Sequence, residues 1–143
     1  MKPTIIALLA IAVLLASCTA KDLTEITVYK TPSCGCCGGY VSYLEKQGFA
    51  VNVIELASLD KIKEQYRIPD DLLSCHTSVI GNYYIEGHVP AEAIRALLEK
   101  QPSIDGIALP GMPAGSPGMG GTKMQPFEVL AVTNGEATDF IKV

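Results

Sequence analysis

Three cysteines lie within four positions of this 143-residue chain, in the stretch Cys34-Gly35-Cys36-Cys37. Two of them, Cys34 and Cys37, have the Cys-x-x-Cys spacing of a redox-active dithiol. All three form the less common Cys-x-Cys-Cys, whose adjacent thiolates are poorly placed to chelate one ion tetrahedrally but can bridge two ions in a polynuclear cluster. Copper(I) is a soft ion that favours thiolate ligands. The stretch therefore predicts thiolate chemistry, either metal binding or disulfide exchange.

A second candidate pair, Cys75-His76, lies further along the chain. With Cys34 and Cys37 it would complete a Cys₃His set, which is typical of structural zinc sites. Taken alone, the pair has a simpler interpretation, in which the cysteine is a small buried apolar residue and the histidine hydrogen-bonds locally. Spacing alone does not choose between copper(I) and zinc.

Three further residues are candidate ligands by type. His88, which comes two residues before Pro90, either caps the helix that follows or acts as an outer ligand or proton acceptor. Met112 and Met119 offer thioether groups, which bind copper(I) and discriminate against zinc. The alternative is that both methionines pack their loop onto the domain, as methionine often does.

The elements around the first cluster predict how its thiols are presented. Residues 26–29 read as a short β-strand, and residues 37–47 read as a helix with an apolar face. The thiols therefore lie where a strand turns into a helix N-terminus. Free backbone N–H groups and the helix dipole at such a terminus lower thiol pKa values.

The whole chain predicts an α/β domain with the order β-α-β-α-β-β-α. A Gly/Pro/Met-rich covering loop follows at residues 106–121, and a C-terminal β-hairpin turns at Asn134-Gly135. With right-handed crossovers, this order fits a thioredoxin-like sheet. In that fold the loop that carries the cysteines faces the loop just before the third strand, which here contains Cys75 and His76. Topology therefore predicts that a fourth sulfur and an imidazole meet the three-cysteine cluster.

The N-terminus reads as an export signal. One lysine precedes an apolar run at residues 5–15, which is too short to span a bilayer. Leu15-Ala16-Ser17-Cys18 resembles a bacterial lipobox, which makes Cys18 the lipidated first residue of the mature protein. The alternative is an ordinary cleavage site that leaves Cys18 as a free thiol.

The domain boundaries and the location follow from this interpretation. We expect a signal peptide at 1–17, a lipidated cysteine and tether at 18–25, and a metal-binding domain at 26–143. Thr19 follows the lipobox cysteine instead of Asp, which in enteric-type bacteria favours the outer membrane. The expected location is the periplasm, with the lipid anchor as the contact with the membrane.

Composition and the lack of other catalytic motifs exclude several classes of function. The chain has 11 basic and 15 acidic residues and a formal net charge of −4, with no basic patch, which argues against nucleic-acid binding. It contains no Ser-His-Asp order, phosphate-binding loop or paired-carboxylate signature. The cysteines and histidines therefore remain as the candidates for chemistry.

Four motifs occur in order along the chain: Thr31-Pro32-Ser33-Cys34-Gly35-Cys36-Cys37, Ser74-Cys75-His76-Thr77, Glu86-Gly87-His88-Val89-Pro90, and Leu109-Pro110-Gly111-Met112-Pro113 continuing to Ser116-Pro117-Gly118-Met119. They resemble those of the CopG-type family, small exported proteins whose domain has long been described as of unknown function and whose genes often lie among copper-resistance genes. The resemblance covers residues 26–143. It implies a thioredoxin-like fold, copper binding through the four cysteines and the neighbouring His76, and a role in handling excess periplasmic copper. The lipid-anchored start and Gly120-Gly121 depart from the family pattern.

Three functions remain open from the sequence. The leading hypothesis is a copper(I)-binding protein that sequesters copper, passes it to other periplasmic copper-handling proteins, or changes its oxidation state. The second is a thiol–disulfide oxidoreductase in which Cys34 attacks and Cys37 resolves. Against it, Thr77 is the residue expected before the third strand, where such enzymes usually have a cis-proline, and Cys36 could form wrong disulfides. The third is a zinc-stabilised structural domain. Whether the protein is an enzyme stays open.

Overall fold

The computed structural model describes residues 24–143. The expected signal peptide, Cys18 and most of the tether lie outside these residues. Among the described residues, no helix combines the length and the apolar character that a membrane crossing needs.

The described residues form one seven-stranded sheet with helices on its faces. The order predicted from the sequence, β-α-β-α-β-β-α followed by a hairpin, is confirmed, with one extra strand between the last helix and the hairpin. The elements are β1 (Glu25–Lys30), α1 (Gly35–Lys46), β2 (Ala50–Glu55), α2 (Asp60–Gln65), a 3₁₀ turn (Asp70–Leu72), β3 (His76–Ile80), β4 (Tyr83–Glu86), α3 (Ala91–Lys100), β5 (Gly106–Ala108), β6 (Glu128–Thr133) and β7 (Glu136–Lys142).

The strand order is β2-β1-β3-β4-β5-β6-β7. β1 and β2 are parallel, β3 runs antiparallel to β1, and β4 runs antiparallel to β3. This half of the sheet has the thioredoxin-like arrangement. β5 pairs parallel with β4, and the C-terminal hairpin of β6 and β7 continues the sheet from there, as predicted.

The extra strand, β5, corrects the sequence prediction, which placed residues 106–108 in the covering loop. All three residues are buried. Gly106 is needed here because a Cβ at this position would lie 2.4 Å from the backbone oxygen of Tyr84 on β4. A strand of three residues is too short to show an alternating pattern, so the Gly/Pro-rich sequence that follows it dominated the prediction.

Apolar side chains cover both faces of the sheet. The larger cluster packs α1 and α3 onto one face through Leu44, Ile94 and Leu97, all fully buried. Burying a leucine or isoleucine side chain completely contributes about 1.5–3 kcal/mol. A smaller cluster on Tyr84 and Val132 lies on the other face, where Tyr66 at the end of α2 packs against it. Helices on both faces fix the ends of β1 and β3, which carry the site.

Candidate metal centre

The three clustered cysteines lie at the start of α1, immediately after β1. The helix begins at Gly35, two residues earlier than predicted, so Cys36 and Cys37 lie in its first turn and Cys34 is the N-cap residue. The Cys34 backbone N–H donates to the oxygen of Thr31 at 3.1 Å, which closes the turn between strand and helix. Cys37 is fully buried, whereas Cys34 and Cys36 are half-buried.

Cys75 meets this cluster from the neighbouring strand. β3 begins at His76, which pairs with Lys30 at the end of β1, so Cys75 lies beside the first turn of α1. Its Sγ atom is 3.6 Å from that of Cys36 and 3.5 Å from that of Cys37. The structure thus brings together all four cysteines that the motifs singled out in the domain.

The start of β3 corrects one part of the sequence argument. The residue before the third strand is Cys75, not Thr77, because the strand extends two residues further toward its N-terminus than predicted. The position still holds no proline. It holds instead a sulfur donor that faces the other three.

The four sulfurs occur as one disulfide and two thiols. Cys34 and Cys37 are joined, with Cα atoms 5.4 Å apart, and Cys36 and Cys75 are free. Burial and, to a smaller extent, the neighbouring Cys36 raise the pKa of the Cys75 thiol to about 11. Cys75 is therefore a neutral thiol near pH 7 until a cation or an oxidant acts on it.

Both histidines of the domain lie against Cys75. His76 Nδ1 is 3.4 Å from Cys75 Sγ, and His88 Nε2 is 3.3 Å from the same atom. The described residues thus contain two candidate metal-binding groups, one of the four cysteines and one of Cys75 with the two histidines. In each group the ligand atoms lie within 4.8 Å of one another. Cys75 belongs to both.

A backbone carbonyl fixes the orientation of His88. Its Nδ1 donates to the oxygen of Pro117 at 2.6 Å, and since a carbonyl only accepts, Nδ1 carries the proton. Nε2 then presents its lone pair toward Cys75, which is the arrangement that metal-binding histidines usually have. The alternative that His88 caps α3 is wrong, because Pro90 is the N-cap residue and no side chain caps this helix.

His76 is buried, and one of its ring nitrogens has no partner. Its Nε2 makes no hydrogen bond, and its ring packs against that of Tyr40 with centroids 4.5 Å apart. Burial lowers the pKa of His76 to about 3, helped by the nearby His88 and Lys63. The ring is therefore neutral at physiological pH, as metal coordination requires.

This histidine gives the metal-free protein a predicted pH dependence. Between pH 6.5 and about 3 the unfolded chain takes up a proton at His76 that the folded chain excludes, so the free energy of unfolding should fall as the pH is lowered through this window. The lowered pKa of His88 acts in the same direction. Urea-unfolding midpoints measured in chelator at pH 7 and pH 5 should show the loss, and His76→Gln should flatten it. Equal midpoints for the unmodified protein would contradict the prediction.

A buried ion pair supports the segment that carries Cys75. Glu86 is fully buried at the end of β4 and accepts hydrogen bonds from the Ser74 backbone N–H and from Thr77 Oγ1, each at 2.6 Å. Lys63 Nζ on α2 lies 2.5 Å from the same carboxylate. Burial raises the pKa of Glu86, while Lys63 and the other donors act against that rise.

The role of this pair was not predicted from the sequence, in which Glu86 is only part of a motif and Lys63 has no assigned role. The sequence places Glu86 on the same strand face as Tyr84. That pattern predicts that Glu86 is buried, but it does not predict that Lys63 on α2 is its partner. The pair ties α2 and β4 to the residues on either side of Cys75 and His76.

In the structure the covering loop connects β5 to β6 and so runs over residues 109–127 instead of the predicted 106–121. It lies directly on α1, the helix that carries the cysteines. Gly118 has a φ of +80°, and a Cβ there would lie 2.4 Å from the Tyr40 backbone nitrogen and 2.8 Å from the Cys36 oxygen. Gly39 faces it from the helix, since its own Cβ would lie 3.1 Å from the Gly118 Cα. This close backbone approach places the Pro117 carbonyl where His88 donates to it.

The two candidate methionines have different environments in this loop. Met119 follows Gly118, whose backbone lies against α1, and it is half-buried. Met112 exposes 41% of its surface and has a φ of +47°. Met112 therefore lies at the surface of the loop.

The contact at Gly118 gives a prediction with a matched control. Gly118→Ala should displace the covering loop from α1, because the new Cβ would overlap two backbone atoms. Gly111→Ala places alanine at a similar φ of +77° with no atom within 4 Å, so it adds the backbone strain of about 1–2 kcal/mol alone. Limited proteolysis of the loop should be faster in Gly118→Ala than in Gly111→Ala. Equal rates would mean that the contact does not hold the loop.

Comparisons with known proteins agree on one relationship. A family model described as "Protein of unknown function, DUF411" matches residues 72–119. No curated protein matches the chain. Among solved structures, "Copper resistance protein copG- Form 2" and "Copper resistance protein copG- Form 1" are each 35% identical to this chain with a TM-score of 0.77. Each alignment covers 85% of this chain, and it covers 99% and 98% of the respective solved chains.

Proposed function

This chain belongs to the CopG-type copper-resistance family, and we propose that it is a periplasmic copper(I)-binding protein of copper resistance. One observation carries the proposal: Cys75 Sγ lies within 3.6 Å of two other cysteine sulfurs and of one nitrogen from each of two histidines. The four cysteines would hold copper ions as bridging thiolates, with His76 and His88 at the edge of the cluster. Met112 and Met119 are proposed as further soft ligands from the covering loop.

The residues suit copper(I) as a bound substrate. Thiolate sulfur and imidazole nitrogen are ligands that copper(I) accepts in low coordination numbers. His88 has its Nε2 lone pair directed at the cluster, and His76 Nδ1 lies 3.4 Å from Cys75 Sγ. Burial lowers the pKa of both histidines, so both rings are neutral donors. Lys63 lies near His76, and its positive charge is paired with Glu86.

The disulfide between Cys34 and Cys37 favours a redox role in addition to binding. When these two thiols join, they release two electrons and two protons. Two copper(II) ions can take up the electrons and become copper(I), while Cys36 and Cys75 remain as thiols that hold the product. The same disulfide supports the second candidate, a thiol–disulfide oxidoreductase that uses Cys34 and Cys37. A zinc-stabilised domain is the third.

Metal competition tests the proposal. The full chain carrying Cys18→Ser would be reduced without oxygen, offered copper(I) and zinc together, desalted, and assayed for metal and for free thiols. We expect more than one copper per chain, with the thiols protected. One zinc per chain would replace the proposal by the structural site, and no metal with two readily cycled thiols would replace it by the oxidoreductase.

The proposed location is the periplasmic face of the outer membrane, with Cys18 lipidated and other periplasmic copper-handling proteins as partners. Support for it comes from the lipobox-like sequence alone. Cys18→Ser should move the protein from the membrane fraction to the soluble fraction of the cell. An unchanged distribution would contradict the anchor.

A further inference from the structure

We infer that Cys36 and Cys75 form a second redox pair, which closes into a disulfide when the site is fully oxidised. The inference rests on the proposed function only for its oxidant, copper(II). Both thiols are free and half-buried, and their sulfurs are 3.6 Å apart, although the residues are 39 positions apart in the chain. They are thus in contact without being neighbours in sequence.

The disulfide between Cys34 and Cys37 determines which cysteines form the second pair. Cys36 Sγ contacts the sulfurs of Cys34 and Cys75, and Cys75 Sγ contacts those of Cys36 and Cys37. Once Cys34 and Cys37 are joined, the contact that remains between two free thiols of the described residues is the one between Cys36 and Cys75. Closing it requires the sulfurs to approach from 3.6 Å to about 2.0 Å, a change that side-chain rotation can supply.

The turn that carries Cys36 has room for this change on its outer side. A Cβ at Gly35 or at Gly38 would have no atom within 4 Å, so these positions face open space. Cys75 lies in the short connection between the 3₁₀ turn and β3 and is half-buried. Neither thiol has to leave a packed core for the bond to form.

The second pair doubles the electron capacity of the site. Cys36 and Cys75 would release two electrons and two protons as their S–S bond forms, and two copper(II) ions would be reduced to copper(I). Together with Cys34 and Cys37, one chain would reduce four copper(II) ions, since the cluster contains four cysteines. The fully oxidised site would keep no thiolate for copper(I), so oxidation of the second pair also releases the bound metal.

Paired variants isolate the second disulfide. The full chain with Cys18→Ser and Cys34→Ser/Cys37→Ser retains only Cys36 and Cys75. Treated metal-free with diamide, it should become a monomer that has lost two hydrogens and contains a cross-link between the peptides carrying residues 36 and 75, as detected by mass spectrometry. The matched control, Cys36→Ser/Cys75→Ser, should form the Cys34–Cys37 disulfide under the same conditions.

A copper titration gives the second readout. With a copper(I)-specific dye, the reduced Cys18→Ser protein should yield four copper(I) per chain, and each double variant should yield two. Two free thiols remaining in Cys34→Ser/Cys37→Ser, or dimers alone, would overturn the inference. So would a cross-link between Cys37 and Cys75 in the parent protein. A disulfide with diamide but no copper(II) reduction would instead refute the redox part of the proposed function and leave the pair in place.

Discussion

Replacing Cys75 by serine is expected to remove more copper than replacing any other single cysteine of the cluster. Cys75 is the one residue common to the four-cysteine group and to the group with His76 and His88. A hydroxyl oxygen is a hard donor and a poor substitute for a thiolate toward copper(I). The loss of copper affinity should exceed the roughly 10–100-fold that removal of an outer-sphere partner causes. Copper per chain after anaerobic loading and desalting, measured over a series of competing chelators, gives the affinity.

Cys36→Ser is the matched comparison for this prediction. It removes a sulfur 3.6 Å from Cys75 but leaves the Cys75 group with both histidines intact, so it should lower the copper stoichiometry by a smaller amount. Both residues are half-buried, so the two variants should have similar circular dichroism spectra and unfolding midpoints. If Cys36→Ser lost as much copper as Cys75→Ser, the four-cysteine group and the Cys75–histidine group would not bind copper separately. Unchanged copper binding in Cys75→Ser would refute the proposed cluster.

Local signals in the sequence account for most of the correctly predicted fold. Asn134-Gly135 predicts the tight turn between β6 and β7, and both residues have the positive φ that this turn requires. Pro90 predicts the start of α3, and in the structure it is the N-cap residue, with the φ of −64° that its ring fixes. Such features depend on a few neighbouring residues. β5 is held instead by hydrogen bonds from β4 and β6, so no local signal could identify it.

The part of the site that depends only on the order of the strands in the sheet was predictable from the sequence. The sequence order places Cys75 and His76 opposite the first cysteines, because β3 must lie beside β1 in this fold. The partners of His88 were not predictable in this way. A local cap on α3 was a reasonable alternative, but the Ala91 N–H donates to Tyr43 Oη from 48 positions earlier. Contacts of this kind depend on the finished packing and leave no pattern in the nearby sequence.

Glu86→Gln is expected to lower the free energy of unfolding by about 3–5 kcal/mol, the effect of breaking a buried ion pair from one side. It leaves the Lys63 ammonium without its partner in a place where that side chain is only 12% exposed. It also turns an amide N–H₂ toward groups that now donate to a carboxylate. Urea unfolding of the metal-free protein measures the change. Glu128→Gln is the control, because its pair with Lys142 is exposed and should leave the midpoint unchanged.

A double variant separates the charge of this pair from its packing. Lys63→Met with Glu86→Leu removes both charges and keeps apolar volume, so it should regain much of the stability lost in Glu86→Gln, since apolar replacements of buried pairs are often neutral. Copper affinity should not recover with it. The Ser74 N–H would have no acceptor, and this bond fixes the backbone next to Cys75. Recovery of both properties would mean that the pair only stabilises the fold, whereas recovery of stability alone would show that Glu86 positions Cys75 for the metal.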